Sequence, residues 1–553
     1  MNNAKERKNY ISNLISNQIN IDHHSTKEDI LLALELLLNG NYVKYQFDAI
    51  DKTKMSNNSS YDVLLSKFNE ITTSRKQKGT YYTPLDVTNY ITLNTILMCL
   101  SEENTKTYKD YKALEYLSLM EKPQLDDFLF EKTVFDPTCG SGEFLVTAVD
   151  IKLNILINNN ALSDNAVLNV AKTIYGNDIN EESIDIAMYR LFMLLSKQIT
   201  QKENYLILAE ILKRNFSNYD FVNYKNEILK KFDIIVGNPP YIEYGKYDGT
   251  RNMEFSFGNV YGDVLVNSIR TLKKDGAFGF VLPLSYSSTT RMKRLREYVV
   301  EDFSTQFILN FADRPDCLFP GVHQKLNIVI AKKGRKEHKL YTSRYKHWRK
   351  EERANLLNGF EIKRTFNISP MYIPKIGNDL EESIFRKVRT ITENNLFDKQ
   401  ISNGKEVYLN MRACFWIKAF SFNPGSKEYK KFTYPEEYRG FAISVLNSSL
   451  YWLFWTMVSD GWHITNKELK EFLVPDKNID FKAFDKLSKQ LEDKLENTKK
   501  YIGSIQTEYE YKHKECKDVI DLIDNELSKV YELTREELEY VKKFSLTYRT
   551  GGK

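Results

Sequence analysis

From residue 130 to 334 short apolar runs alternate with segments of helical spacing, and this rhythm sets the first expectation about the fold. Strands are predicted over 133–136, 173–177, 232–237, 278–282, 306–311 and 327–331, with helices between them, for example over 183–195 and 260–272. Strands that alternate with helices predict an α/β fold built on a doubly wound, mostly parallel sheet. Residues 1–75 read as helices, from apolar spacing over 30–37 and 61–65 around a polar turn at 57–60. After residue 355 the pattern weakens into mixed α and β, rich in aromatics, up to 475. The remainder is helical. Phe484, Leu487, Leu491 and Leu495 share a face, and Thr534 with Glu537 forms a capping box that opens the final helix. The segments expected are 1–75, 76–334, 335–475 and 476–553.

Composition narrows the class. Of 553 residues, 42% are hydrophobic and 28% charged, with 32 Phe and 35 Tyr. That excludes a disordered or low-complexity chain. The longest apolar run, around 451–458, is far too short for a bilayer span. The opening MNNAKERKNY carries no apolar signal segment, so the expected location is the cytoplasm, away from membranes. Five scattered cysteines without a Cys-x-x-Cys pair argue against a disulfide frame and a zinc site, and no metal is expected.

A net charge of +5 says little by itself. Its distribution says more, because residues 335–354 carry eight Lys or Arg against three Glu. Tyr341, Tyr345 and Trp348 interleave that stretch, and Arg291, Lys293, Arg294 and Arg296 form a second cluster. Interleaved cations and aromatics suit the handling of phosphates and bases together, and a solvated basic loop would look the same.

Two motifs carry the chemistry. The first is Val134-Phe135-Asp136-Pro137-Thr138-Cys139-Gly140-Ser141-Gly142-Glu143-Phe144-Leu145. A strand enters a Gly-x-Gly turn and then a helix, so the backbone can approach a ligand closely at a helix N-terminus. The motif departs from the dinucleotide fingerprint: Leu145 holds the third glycine position, and the next acid at a strand end, Asp178, lies well beyond the usual ~20 residues. A helix N-terminus facing a carboxylate, and an acid facing ribose hydroxyls, suit S-adenosylmethionine better than a pyrophosphate. A glycine turn kept for packing is the plain alternative.

The second motif is Phe232-Asp233-Ile234-Ile235-Val236-Gly237-Asn238-Pro239-Pro240-Tyr241. An apolar strand ends in Asn-Pro-Pro-Tyr at the edge where ligands bind in such sheets. Proline fixes φ and lacks an N–H, so the segment is stiff and presents carbonyls. The Asn238 side-chain oxygen beside the Pro239 carbonyl makes two acceptors for one amino group. Tyr241 offers a flat face to the ring that bears it.

Together these residues resemble the S-adenosylmethionine-dependent N6-adenine methyltransferases of DNA, over roughly residues 75–335. The resemblance implies a class I, Rossmann-like fold with an N-terminal helical segment and a C-terminal α+β target-recognition domain ending in helices. It implies that Asp136, Thr138, Gly140 and Gly142 form the cofactor loop, that Asp178 and Ile179 hold the ribose end, and that Asp220 and Phe221 meet the cofactor adenine. Thr80, Tyr82 and Pro84, in Lys78-Gly79-Thr80-Tyr81-Tyr82-Thr83-Pro84, match the motif that covers the methionine end. Asn238, Pro239, Pro240 and Tyr241 match the catalytic motif, with Asn238 also at the cofactor. Phe319, in Leu318-Phe319-Pro320-Gly321-Val322, matches a second aromatic against the target base. The motif order resembles the gamma arrangement. Leu446-Asn447-Ser448-Ser449-Leu450, Gly461 and Leu473-Val474-Pro475 are similar to target-recognition domains of restriction-modification specificity proteins, although ordinary core residues would read alike.

The reading that follows is site-specific methylation of adenine N6 in double-stranded DNA, with the base flipped out of the duplex. S-adenosylmethionine is the implied cofactor, a separately encoded restriction endonuclease an optional partner, and Arg344, Lys346, Arg349 and Lys350 the expected backbone contacts. A protein-glutamine methyltransferase, an RNA methyltransferase and a methylase or specificity subunit active only in a larger complex remain as alternatives. A cytosine-C5 enzyme does not, because no Pro-Cys dipeptide is present.

Overall fold

The computed structural model describes residues 83–101 and 121–551, except 202, 224–229, 248, 250–254, 335, 336, 359, 366–370, 477 and 504–506. The helices predicted over 1–75 lie outside the described residues.

Nine strands form one sheet: β1 (Val134–Asp136), β2 (Ile174–Asn177), β3 (Phe216–Ser217), β4 (Phe232–Gly237), β5 (Leu272–Pro283), β6 (Phe303–Phe311), β7 (Leu326–Lys333), β8 (Lys339–Lys346) and β9 (Ile362–Thr365). Their order is β3-β2-β1-β4-β5-β7-β6-β8-β9. The run from β3 to β5 is parallel, and β7 enters antiparallel between β5 and β6. This is the class I, Rossmann-like arrangement that the resemblance implies.

Helices α1 (Leu85–Leu100), α2 (Lys122–Phe130), α3 (Glu143–Asn158), α4 (Asp164–Lys172), α5 (Glu181–Ser196) and α6 (Glu203–Asn215) cover one face. Helices α7 (Val260–Thr271) and α9 (Lys293–Asp302) cover the other, with the short α8 (Ser285–Ser288) following β5. Strand β4 shows why its sequence is a continuous apolar run: Ile234 and Val236 enter the first layer's core while Ile235 enters the second. Full burial of each such side chain contributes about 1.5–3 kcal/mol. Helix α1 lies directly on β5 because Gly279 has no side chain. A Cβ there would stand 2.0 Å from Thr95 Oγ1.

The sheet does not stop at residue 334. Strand β8 pairs parallel with β6, and β9 pairs antiparallel with β8, so the boundary expected at 335 falls inside the sheet. The basic stretch, expected at phosphates or as a solvated loop, is instead in part a strand of period two along which buried and partly exposed positions interleave. Leu340, Thr342, Ser343 and Tyr345 are buried, and Lys339, Tyr341, Arg344 and Lys346 are partly exposed.

The C-terminal region has its own core. Helix α10 (Asp379–Thr390) precedes a sheet of β10 (Lys405–Asn410), β11 (Ala419–Phe420) and β12 (Tyr429–Tyr434), ordered β11-β10-β12. Helices α11 (Glu436–Asn447), α12 (Ser449–Val458), α13 (Asn466–Glu471) and α14 (Phe481–Thr498) follow, then the hairpin β13 (Lys500–Tyr501) and β14 (Tyr509–Glu510), and α15 (Lys517–Val530), α16 (Arg535–Lys543) and α17 (Leu546–Thr550). The Thr534–Glu537 capping box opens α16, and the short α17 comes after it. No single helix among the described residues is long and apolar enough to cross a membrane. Two lysines join this region to the nine-stranded sheet at α8. Lys375 Nζ donates to the Ser459 carbonyl at 2.7 Å and to Ser288 Oγ at 3.3 Å. Lys467 Nζ donates to the carbonyls of Ser288 at 2.8 Å and Val458 at 2.6 Å.

Candidate active site

The carboxyl ends of β1, β2, β3 and β4 bring most of the predicted residues to one edge of the sheet, where open α/β sheets bind ligands. Between β1 and α3, Gly140 (φ 50°) and Gly142 (φ 84°) take left-handed conformations that favour glycine. A Cβ on Gly142 would also lie 2.9 Å from Ala187 Cβ. Around Gly140 a Cβ would meet nothing within 4 Å, so the outer side of the turn is open. Asp178, at the end of β2, accepts the Gly140 N–H at 2.8 Å through Oδ2 and the Asn180 N–H at 2.8 Å through Oδ1. Next to it, Ile179 is 66% exposed, an apolar side chain beside the open turn.

Other predicted residues serve the turn from beneath. Asp136 is buried and accepts the Thr138 N–H at 3.0 Å through Oδ1. Burial, opposed by the Thr138 N–H and reinforced by the Asp178 charge, holds its carboxyl well above the usual range. Thr138 Oγ1 is buried without a hydrogen-bond partner. Asp220 accepts the Val222 N–H at 3.0 Å and the Asn223 amide at 2.9 Å, and the Tyr247 hydroxyl donates to it as well. Phe221 is buried against Phe135, with ring centroids 5.8 Å apart. Pro84 stands at the start of α1, while Thr80 and Tyr82 lie outside the described residues.

At the end of β4, Asn238 is held on both sides. Its Nδ2 donates to Thr83 Oγ1 at 3.1 Å, and its Oδ1 accepts the Tyr241 hydroxyl at 2.6 Å. The Val281 carbonyl lies 3.0 Å from the same hydroxyl. Burial, with a contribution from Tyr261, pushes the Tyr241 hydroxyl well above its ordinary pKa, so it stays a proton donor. The expectation for Tyr241 rested on its ring, with a hydrogen bond from its hydroxyl as the plain alternative. The structure gives its hydroxyl a definite partner in the Asn238 oxygen.

Phe319 and the basic stretch differ from expectation. Phe319 is 2% exposed and packed in the core, at the base of a turn whose tip is Pro320-Gly321. It shows no open face to a base. Among the expected phosphate contacts, Arg344 lies 3.9 Å from Glu361, Lys346 donates to the Leu356 carbonyl at 3.3 Å, and Arg349 donates to the Thr547 carbonyl at 3.0 Å. Lys350 begins a short 3₁₀ turn and is exposed. The interleaved aromatics are structural: Tyr345 and Trp348 are buried, and Tyr341 stacks on Phe307 at 4.7 Å.

Four contributors were not predicted. Thr83 orients the Asn238 amide. Asn177 Nδ2 donates to the Pro137 carbonyl at 2.9 Å and the Tyr219 carbonyl at 3.0 Å, which ties the ends of the first three strands together. Arg190 donates to the Ser141 carbonyl at 2.6 Å and forms a buried ion pair with Glu143, fixing the glycine turn from behind. Tyr247 supports Asp220. Thr83 sits within the upstream motif, whereas the other three follow no pattern along the chain.

In the C-terminal region, the motif residues Asn447 and Ser448 bind within the fold. Asn447 donates to the Ala419 carbonyl at 2.8 Å, and Ser448 caps α12.

Comparison with known proteins gives the family. The family model of N-6 DNA methylases matches residues 57–402. The type II methyltransferase M.BstVI of Geobacillus stearothermophilus is 23% identical over 189 residues, covering 32% of this chain and 33% of that protein. The type II restriction enzyme and methyltransferase RM.Eco57I of Escherichia coli is 22% identical over 328 residues, covering 50% of this chain and 32% of that one. The chain therefore spans about a third of the length of these relatives. Among solved structures, the Type IIL restriction-modification enzyme MmeI in complex with DNA shares the fold over 98% of both chains, with a TM-score of 0.52 at 11% identity. With the family match extending over more than half of its length, and with Asn-Pro-Pro-Tyr placed at the carboxyl end of β4 beside the glycine turn, the chain belongs to the N-6 DNA methylase family.

Proposed function

We propose that this protein methylates N6 of adenine at a specific sequence in double-stranded DNA, with S-adenosylmethionine as methyl donor. The observation that carries the reading is Asn238, whose side-chain amide is clamped between Thr83 and Tyr241, with Pro239 next in the chain. The cofactor's place is the open side of the Gly140 turn. Its fit is supported by the space around Gly140, the Asp178 carboxylate at the rim, the exposed Ile179 and the unpartnered Thr138 Oγ1. When bound there, S-adenosylmethionine supplies an electrophilic methyl group. The chain's residues do the rest. Asn238 Oδ1 keeps a second lone pair beyond the one that takes the Tyr241 hydroxyl. That lone pair and the Pro239 carbonyl accept the two amine hydrogens of an extruded adenine. Both bonds strengthen as positive charge grows on the nitrogen, and they turn its lone pair out of the ring system.

Association with a restriction activity belongs to the same reading, as RM.Eco57I is named for both activities, and a separately encoded endonuclease is the partner proposed for this chain. The test is to incubate purified protein with unmodified plasmid DNA and S-adenosylmethionine, then sequence with base-modification detection. Methyladenine at one recurring sequence, absent with Asn238→Ala, is expected. Methyl transfer to RNA or to protein glutamine, with none to duplex DNA, would overturn the reading.

A further inference from the structure

A patch of exposed aromatic and cationic side chains lies at the seam between the catalytic sheet and the C-terminal region, at the same edge as Asn238. Its centre is Trp462, a large apolar side chain that is 37% exposed. The turn bearing it is held rigidly. Asp460 Oδ1 accepts the N–H groups of Trp462 and His463, each at 2.8 Å, and Asp460 Oδ2 lies 3.1 Å from His463 Nδ1. Trp455 Nε1 donates to the His463 carbonyl at 3.0 Å, and the Ala413 N–H to the Trp462 carbonyl at 3.1 Å. Gly461 takes φ 71°, and a Cβ there would stand 2.6 Å from the Tyr345 hydroxyl. The backbone that carries the indole is thus set before anything binds, so little of the turn's ordering cost remains to be met on association.

The catalytic sheet meets this turn through the loop joining β6 to β7. Lys325 Nζ lies 4.1 Å from the centre of the Trp462 ring. The Lys325 carbonyl accepts the Leu284 N–H at 2.9 Å, beside the end of β5, the strand whose Val281 carbonyl faces Tyr241. Three residues of strand separate those contacts, on the order of 10 Å. On the segments that meet the turn, exposed residues include Arg314, His323, Arg412, Cys414 and His463. Carboxylates balance them from deeper positions: Asp313 pairs with Lys325 at 3.0 Å and is nearly fully buried, while Glu428 pairs with Arg412 at 3.1 Å and is the more covered partner. Asp460 is 28% exposed and lies against His463, so the exposed cations are Arg314 and Arg412.

We infer that the 460–463 turn is the part of this protein that enters the duplex beside the target base pair, with the Trp462 ring stacking into the gap left by the extruded adenine. The inference rests on the DNA reading above and adds the element that opens the base pair. A flipped base costs lost stacking on its neighbours. A rigid indole with a cation under one face offers a flat replacement surface, and Arg314, Arg412 and His463 are placed for the flanking phosphates.

The test uses two duplexes carrying the sequence found methylated in plasmid DNA, one intact and one with the target adenine mismatched and therefore already unpaired. Trp462→Ala should slow methylation of the intact duplex by roughly 5- to 150-fold, the range for losing one base–aromatic stack. It should slow the mismatched duplex far less, and Trp462→Phe should recover much of the difference. Equal slowing on both duplexes would make Trp462 a structural residue and overturn the inference. So would unchanged methylation of the intact duplex. A wild-type protein inactive on both would overturn the DNA reading and this inference together.

Discussion

Asn238 and Thr83, 155 residues apart in the chain, are joined by a hydrogen bond of 3.1 Å from the amide nitrogen to the threonine hydroxyl. That bond decides which atom of the amide faces Thr83, and it leaves the oxygen to Tyr241 and to a substrate amine. Thr83→Val removes the acceptor while keeping the shape. Loss of one such bond corresponds to about 0.5–1.5 kcal/mol, so kcat should fall roughly 2- to 12-fold. Affinity for S-adenosylmethionine should be unchanged, and Thr83→Ser should restore the rate. Single-turnover methyl transfer checks this, and a Thr83→Val enzyme with full activity would remove Thr83 from the positioning of Asn238.

Tyr241 separates two roles. If its hydroxyl steers Asn238, Tyr241→Phe should lower kcat by a few-fold, to about the same extent as Thr83→Val. Tyr241→Ala should cost more, because the flat face goes as well, at ~1–3 kcal/mol per stacked base. Rates measured side by side for the two variants give the split. A Phe variant as active as wild type would assign the residue to stacking alone.

Asp178 is the expected anchor of the cofactor's ribose. Asp178→Ala should weaken S-adenosylmethionine binding by roughly 1.5–3 kcal/mol, the range for hydrogen bonds to a charged group. Because Asp178 also receives the Gly140 N–H through one oxygen and the Asn180 N–H through the other, the Asn variant, which retains one acceptor oxygen, should lose less than the Ala variant. Calorimetric titration of both proteins measures the difference, and identical affinities would place the ribose contact elsewhere.

Lys152 gives a prediction away from the site. Its ammonium is fully buried, donating to the carbonyls of Leu129 at 3.2 Å and Lys132 at 2.9 Å and to Thr173 Oγ1 at 2.8 Å. Burial pulls its pKa down to about 7, against the opposing pull of Asp233 and Asp127. In the unfolded chain a lysine keeps its proton to about pH 10.4. Between those values the unfolded state binds more protons, so stability rises with pH across that window. Below pH 7 both states are protonated and this contribution is flat. Lys152→Met should remove the rise. Urea unfolding at pH 7 and pH 9 compares the two proteins, and identical changes in both would mean that Lys152 stays charged in the fold.

The parallel half of the sheet was legible because its strands are buried on both faces and therefore continuously apolar, as β4 shows. The glycine turn and Asn-Pro-Pro-Tyr were legible because backbone conformation restricts which residues can stand there. β3 is absent from the predicted strands because two residues between Asn215 and Asn218 are too few and too poorly apolar to carry a pattern. β8 was hidden by its charged alternate positions, and Tyr345 and Trp348 read as base-stacking candidates when they are core. Phe319 was placed by its match to a motif, and a motif cannot tell a ring beside a pocket from one beneath it. Thr83, Asn177 and Arg190 act through contacts between segments far apart in the chain, which local sequence does not encode.

The continuity of the sheet through β8 and β9 bears on where the C-terminal region could be exchanged for another. A splice at residue 334, where composition changes, would divide one hydrogen-bonded sheet between two parents and strand Trp348 away from the core that buries it. A graft that respects the hydrogen bonding would begin after Thr365. It would also have to bring lysines equivalent to Lys375 and Lys467 to α8, or the imported half would sit loosely over a site whose geometry depends on that edge.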